Sequence, residues 1–131
     1  MPIAVASTRQ LLADTYKGAT THGALCKGDP GSGPSVANEV SGTGPEGAYA
    51  RRPASGTSGT TGTVTYANLT FNAPATGSTW DATHVALCSG LTGNNMVDKG
   101  LIVDSNGTAA AVRVGPLGGV VVVTNLKFTQ T

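Results

Sequence analysis

Two histidines and two cysteines, set at the same spacing twice, have the widest chemical repertoire in this chain: His22-x3-Cys26 and His84-x3-Cys88. Two imidazoles and two thiolates make up the ligand set of a structural zinc site. If both segments are strands, His and Cys four apart share a face but stand about 13 Å from each other along it. One tetrahedral ion with bonds of about 2 Å cannot hold both. A helix would close that gap, but Gly23 and the β-branched residues around the two segments argue against a helix. The expectation is therefore two core thiols, Cys26 and Cys88, and two part-buried imidazoles, His22 and His84, with no metal and no cofactor. A Cys26–Cys88 disulfide requires the two strands to be neighbours, and a reducing compartment disfavours it.

Other constellations are thinner. Gly42-Thr43-Gly44-Pro45-Glu46-Gly47 spells GxGxxG. A dinucleotide site needs that run to leave a strand and open a helix, and no helix signal follows it. Tyr49, Arg51, Arg52 and Tyr66 suggest stacking and phosphate contacts, yet two arginines without a basic stripe do not make a nucleic-acid surface. Tyr49, Arg51 and Arg52 are instead expected on an exposed strand or loop that docks onto an acidic protein partner. The carboxylates Asp14, Asp29, Glu39, Glu46, Asp81, Asp98 and Asp104 are scattered beside Gly and Asn, as turn and cap residues are. No Gly-x-Ser-x-Gly elbow anchors a hydrolase triad. Trp80, the only tryptophan, reads as a plug at the end of the core. No catalytic residue is assigned.

The elements that carry these residues follow from a repeat. Thr21–Gly31 returns as Thr83–Gly93, with seven of eleven positions identical at an offset of 62. Each copy is a short apolar run with Cys that ends in a Gly-rich turn, the pattern of a buried strand entering a loop. Ser7-x-x-Gln10 has the form of a capping box, Leu11, Leu12 and Tyr16 give an apolar stripe, and Gly18 is placed to stop the helix. This predicts one short helix over about 8–17. From Gly28 to Thr63, 23 of 36 residues are Gly, Pro, Ser or Thr. This stretch is expected to be an ordered arm or loop with a strand at Ala48–Arg52. Val64–Phe71 reads as β. Gly100–Val103 and Ala110–Val114 flank a tight turn at Asn106-Gly107. Val120–Phe128 reads as one strand, with Val120, Val122, Thr124, Leu126 and Phe128 on one face and Val121, Val123, Asn125 and Lys127 on the other. The fold class expected is all-β, an antiparallel β-sandwich or small barrel-like sandwich with one N-terminal helix, in one domain over 1–131.

Composition narrows the function. Charged residues are only 11% and the net charge is +1, so no long-range field draws nucleic acid or a membrane surface. Weak charge protects poorly against self-association, which suits a protein whose working state is an assembly. No apolar run approaches the roughly 20 residues of a membrane helix. The start, Met1–Ser7, lacks a basic n-region and a long apolar h-region, so synthesis in a cytoplasm is expected.

Several of these stretches, taken together, resemble small virion structural proteins of tailed bacteriophages. A short helix with Leu-Ala-Asp leads to Thr21-His22-Gly23-Ala24-Leu25-Cys26-Lys27-Gly28-Asp29-Pro30-Gly31, then Ala37-Asn38-Glu39-Val40-Ser41-Gly42 and Tyr49-Ala50-Arg51. Trp80, Thr83-His84 and a turn at Thr92-Gly93 follow in the order seen in that family. The likeness spans most of residues 8–100. Members serve as head decoration, head-fibre or tail-associated β-sandwich proteins. The resemblance implies a non-enzymatic capsid decoration protein that binds the assembled head in many copies, with a tail or fibre component, host-binding in some cases, as the alternative. The partners implied are the major capsid protein and other copies of this chain in a symmetric oligomer such as a trimer. The implied location is the virion, after synthesis in the bacterial host. The run Val120–Val123 is more apolar than a free surface strand should be and calls for burial in the sandwich or against a partner.

Overall fold

The computed structural model describes residues 4–129 of the chain. Among these residues one helix, α1 (Ala6–Ala19), precedes thirteen short strands. In chain order these are β1 (His22–Cys26), β2 (Thr43–Gly44), β3 (Gly47–Ala48), β4 (Arg52–Pro53), β5 (Gly56–Ser58), β6 (Thr63–Tyr66) and β7 (Leu69–Ala73). Then come β8 (Trp80–Ala82), β9 (His84–Cys88), β10 (Met96–Leu101), β11 (Val112–Val114), β12 (Gly119–Val123) and β13 (Lys127–Thr129). Every pairing is antiparallel. A four-stranded sheet runs β10-β9-β1-β4, and the ladders β8–β11, β7–β12, β5–β6–β13 and β2–β3 complete the fold. The protein is all-β and sandwich-like; its sheets do not close into a barrel.

The two repeat copies are direct neighbours at the centre of the large sheet. β1 and β9 pair so that Ala24 faces Ala86, His22 faces Cys88 and Cys26 faces His84. One face of this pair carries Leu25 and Val85 into the main core, where Leu69, Phe71, Ala73, Val121 and Val123 of the β7–β12 ladder meet them. Gly23 is the one departure between copies on that face, standing where the second copy has Val85. A side chain at position 23 would run into Leu69 Cδ1, 2.6 Å away, so the glycine lets β7 approach β1 closely. The opposite face carries Ala24, Cys26, Ala86 and Cys88, roofed by Val36 and Met96.

Val36 of this roof comes from the Gly-rich stretch, which is bound to its own chain, and Met96 from β10. Lys27 N–H donates to Asn38 O, Val40 N–H to Leu25 O and Met96 N–H to Pro34 O, each at 2.9–3.0 Å. Farther along, Ala54 N–H reaches Thr21 O and Ala75 N–H reaches Thr43 O. The strand expected at Ala48–Arg52 is two two-residue strands, β3 and β4, on either side of Tyr49-Ala50-Arg51.

Helix α1 exists where expected and is longer, but of the expected stripe Leu11, Leu12 and Tyr16 only Tyr16 packs inward. Ser7 lies inside the helix; the N-cap is Val5 and no side chain caps it. Gly18 is helical, and the helix ends when Thr20 N–H bonds Tyr16 O. Leu11 is 63% exposed, whereas Ala13 is fully buried against Val64 and Tyr66. Tyr16 stacks on Phe128 with centroids 3.9 Å apart and donates to Asp98 at 2.6 Å. A small residue at 13 lets the helix lie close to the sheet, and the aromatic pair fixes it there.

Two runs expected to be single strands each bend once. β6 buries Val64 and Tyr66 while β7 buries Leu69, Phe71 and Ala73, so the buried parity switches at Ala67-Asn68. β12 buries Val121 and Val123, the switch comes at Asn125 (φ +61°), and Leu126 and Phe128 are the half-buried residues beyond it. The bends coincide. Leu69 pairs with Val123, Tyr66 N–H donates to Leu126 O, and Thr65 pairs with Lys127, so one ribbon turns a corner from the β7–β12 ladder into β6–β13.

Candidate functional site

The densest set of charged and polar side chains is built from three segments far apart in sequence. Glu39 leaves the chain where it bridges Cys26 at the end of β1. Tyr49 and Arg51 come from the short connection between β3 and β4, and Asn95 from the turn after β9. Arg51 is 7% exposed, in a chain with few charges to bury. Its Nε and Nη2 donate to the two carboxylate oxygens of Glu39, both at 2.9 Å, in the forked geometry that suits guanidinium and carboxylate. Nη1 donates to Asn95 Oδ1 (2.8 Å) and Gly90 O (3.3 Å), and Nη2 also donates to Gly93 O (2.9 Å). All five donors are engaged inside the chain.

Tyr49 joins the same set. Its hydroxyl donates to Glu39 Oε2 at 2.8 Å and accepts from Leu25 N–H at 3.0 Å, so one phenol links β1 to the ion pair. Burial, followed by the neighbouring Glu39 charge, raises the Tyr49 pKa well above its ordinary value. The hydrogen bond to Glu39 raises that of Arg51. Beneath them, burial is the main cause pushing the Cys26 thiol up to about 12, and burial raises Cys88 as well. These are inert protonated thiols, without the lowered pKa that a nucleophile requires.

The reading of Tyr49 and Arg51 as an exposed docking strand is corrected by this geometry. Both sit in a shallow concavity of about 370 Å³ whose rim is Leu91, Thr92 and Ser41, but their polar atoms face inward. Arg52 is half-buried on β4 opposite Gly23 and shares no bond with them. Tyr66 lies in the other cluster, its hydroxyl bonded to Thr20. Glu39, taken from the sequence as a turn residue, is the anchor of the set. The turn reading does hold for Asp29 and Asp104, whose Oδ1 atoms accept from Gly31 N–H and from Asn106 and Thr108 N–H. Asp14, Asp81 and Asp98 instead receive Gln10, Arg113 and Tyr16.

The His and Cys residues are placed as two cross-strand pairs. His22 lies opposite Cys88 and His84 opposite Cys26. Spacing within one strand did not reveal these pairs, because they depend on register between strands. The pairs stand at opposite ends of β1–β9, about 13 Å apart by strand rise, so neither four ligands nor two thiols converge. Both cysteines are free and fully buried, and each histidine is part-buried with its Nδ1 sharing a hydrogen bond with the preceding threonine, Thr21 at 3.0 Å and Thr83 at 2.8 Å. Among the described residues no three His, Cys, Asp or Glu side chains form a metal-holding group. The GxGxxG run is the β2–β3 hairpin, Thr43 opposite Ala48. Trp80 is half-buried on β8 at the margin of the main core.

A second concavity, missed from the sequence, opens at the bend of the ribbon. It holds about 650 Å³ between Tyr66, Asn68 and Val123–Lys127 on one side and Gly100–Gly107 on the other. Asp104 fixes the rim by accepting two backbone N–H groups, and Gly107 N–H closes the turn onto Asp104 O at 3.0 Å. Compared with known proteins, the chain matches no family model and no curated relative.

Proposed function

We propose that this chain is a non-enzymatic structural protein of a tailed-phage virion, one that attaches to the assembled head in many copies and stabilises it. The observation that carries this is where the residues of the resemblance lie. Glu39 of the Ala-Asn-Glu-Val-Ser-Gly stretch, Tyr49 and Arg51 of Tyr-Ala-Arg, and the turn after the second repeat lock together as one buried unit. Such a unit supports the reading of a fold that must hold its shape, since the donors of Arg51 and the hydroxyl of Tyr49 are engaged inside the chain. Stabilisation of a head then follows by mass action, since a ligand that binds only the assembled lattice favours it. Uncharged, apolar residues such as Leu11, Leu117, Val120 and Val122, all exposed, supply surface for contact with copies and shell.

A tail or fibre position is the second reading, and the groove at the ribbon bend favours it. Immunogold labelling of intact virions separates the two. Label spread over the head is the expected result; label confined to the tail tip overturns the head assignment, and particles that contain no such protein overturn the virion reading altogether.

A further inference from the structure

The groove at the bend differs from the Arg51 site in one respect that points to a ligand. None of the side chains of Asn68, Asn106 and Lys127 has a partner among the described residues, and all three border the same concavity. Between them the wall is mixed: Leu101, 51% exposed, and Val103 are apolar, and Asp104, Ser105, Thr124 and Asn125 are polar. A concavity that sets unpartnered polar groups beside exposed apolar side chains can hold a small molecule, and its volume falls inside the usual range for such sites.

The chemistry of the lining selects among ligands. Among the described residues no arginine borders the groove and the one cation there is Lys127, so a phosphate has no forked partner. The aromatic present, Tyr66, is 8% exposed and offers no stacking face to a base. Carboxamides, by contrast, present a donor and an acceptor side by side and match a ligand that does the same. We propose that this groove binds an N-acetylated oligosaccharide, with the acetamido N–H and C=O on the carboxamides of Asn68 and Asn106 and its methyl on Leu101. The C–H faces of the sugar rings lie on Leu101 and Val103, and Lys127 takes a hydroxyl. The Asp104 bonds hold the rim in place before binding, which lowers the ordering cost. The proposal stands on the groove alone and is independent of where the protein sits on a particle.

The test is an amide-resolved NMR titration of the folded protein with chitotriose, with maltotriose, which lacks acetamido groups, as the comparison. With a few neutral hydrogen bonds and no stacking platform, a Kd on the order of a millimolar is expected. The shifted amides should fall in 100–107 and 124–127. Asn68→Ala and Asn106→Ala should each weaken binding about fivefold to tenfold, one neutral hydrogen bond's worth, while their amide spectra stay dispersed. Absence of saturable shifts overturns the proposal, as do shifts centred elsewhere, equal binding of maltotriose, or affinities untouched by both substitutions.

Discussion

The two concavities of this protein contain similar polar groups arranged to opposite ends. Around Arg51, a charged pair, a phenol and an amide are satisfied by one another and by backbone carbonyls, and the set ties β1, the β3–β4 connection and the turn after β9 into one unit. Around Asn106, the amides of the ribbon bend face outward, held on a rim fixed by Asp104. A polar cluster closed on itself resists change, whereas an open one presents its bonds to whatever enters. Having both lets a small, glycine-rich chain keep one part rigid and another available.

The sharpest way to break this contrast is Arg51→Ala. It leaves the Glu39 carboxylate, 21% exposed, without its forked partner and frees the carbonyls of Gly90 and Gly93. Removing one member of a buried ion pair typically costs about 3–5 kcal/mol, a large share of the stability of a domain this size. Urea unfolding should show the midpoint fall steeply, and Arg51→Lys should recover little because an ammonium cannot reproduce the fork. A midpoint within about 0.5 kcal/mol of the parent would show that the closed cluster does not hold the fold.

A smaller effect should appear with pH. Cys26 beneath the cluster has its pKa pushed from an ordinary 9.0 up to about 12, chiefly by burial. The folded state therefore keeps a proton that the unfolded chain loses, and the stability this represents is full below about pH 9 and is lost as pH rises towards 12. Cys88 and Tyr49, raised in the same direction, add to the slope. Unfolding measured between about pH 8 and pH 10.5 should show falling stability, with a shallower fall in Cys26→Ala. An identical slope in the two proteins would mean that the thiol does not contribute.

How much of this was legible in the sequence depended on whether a signal lay within one segment. The repeat announced β1 and β9 because each copy is a complete strand with its turn, and Cys and His fell on the face that a strand period assigns them. Their antiparallel pairing, which sets His22 against Cys88, is a relation between segments and left no local trace. The helix is visible, and Tyr16 of its apolar stripe packs inward, but Leu11 and Leu12 outrank Ala13 in hydrophobicity and hide that close packing against β5 and β6 favours a small residue. Arg51 reads as a surface residue in the sequence because the groups that bury it come from positions 39, 90, 93 and 95. A pairable Glu39 and Arg51 in the same Gly-rich segment is the one hint available, and Asp29, Glu46 and Arg52 beside them dilute it. The ribbon bend was hidden for a different reason. A period-two pattern that changes parity looks continuous when both halves are apolar, and only the turn-tolerant Asn68 and Asn125 mark the breaks.

The smallest expected effect is the one that sharpens the contrast from the other side. Asn68 and Asn106 are exposed, and their carboxamides bond nothing within the described chain. Replacing both by Ala removes no internal hydrogen bond, buries no polar group and leaves no cavity, so none of the mechanisms that produce large losses applies. Asn106 precedes Gly107, which alone in that turn takes the positive φ of +80°, so the turn does not require an asparagine side chain there. The double variant should unfold within about 0.5 kcal/mol of the parent. A loss above about 1 kcal/mol would place these amides in the fold's own bonding and make the groove a second closed cluster. Unchanged stability means that the bend keeps its shape without them and that their bonds are available to something outside the chain.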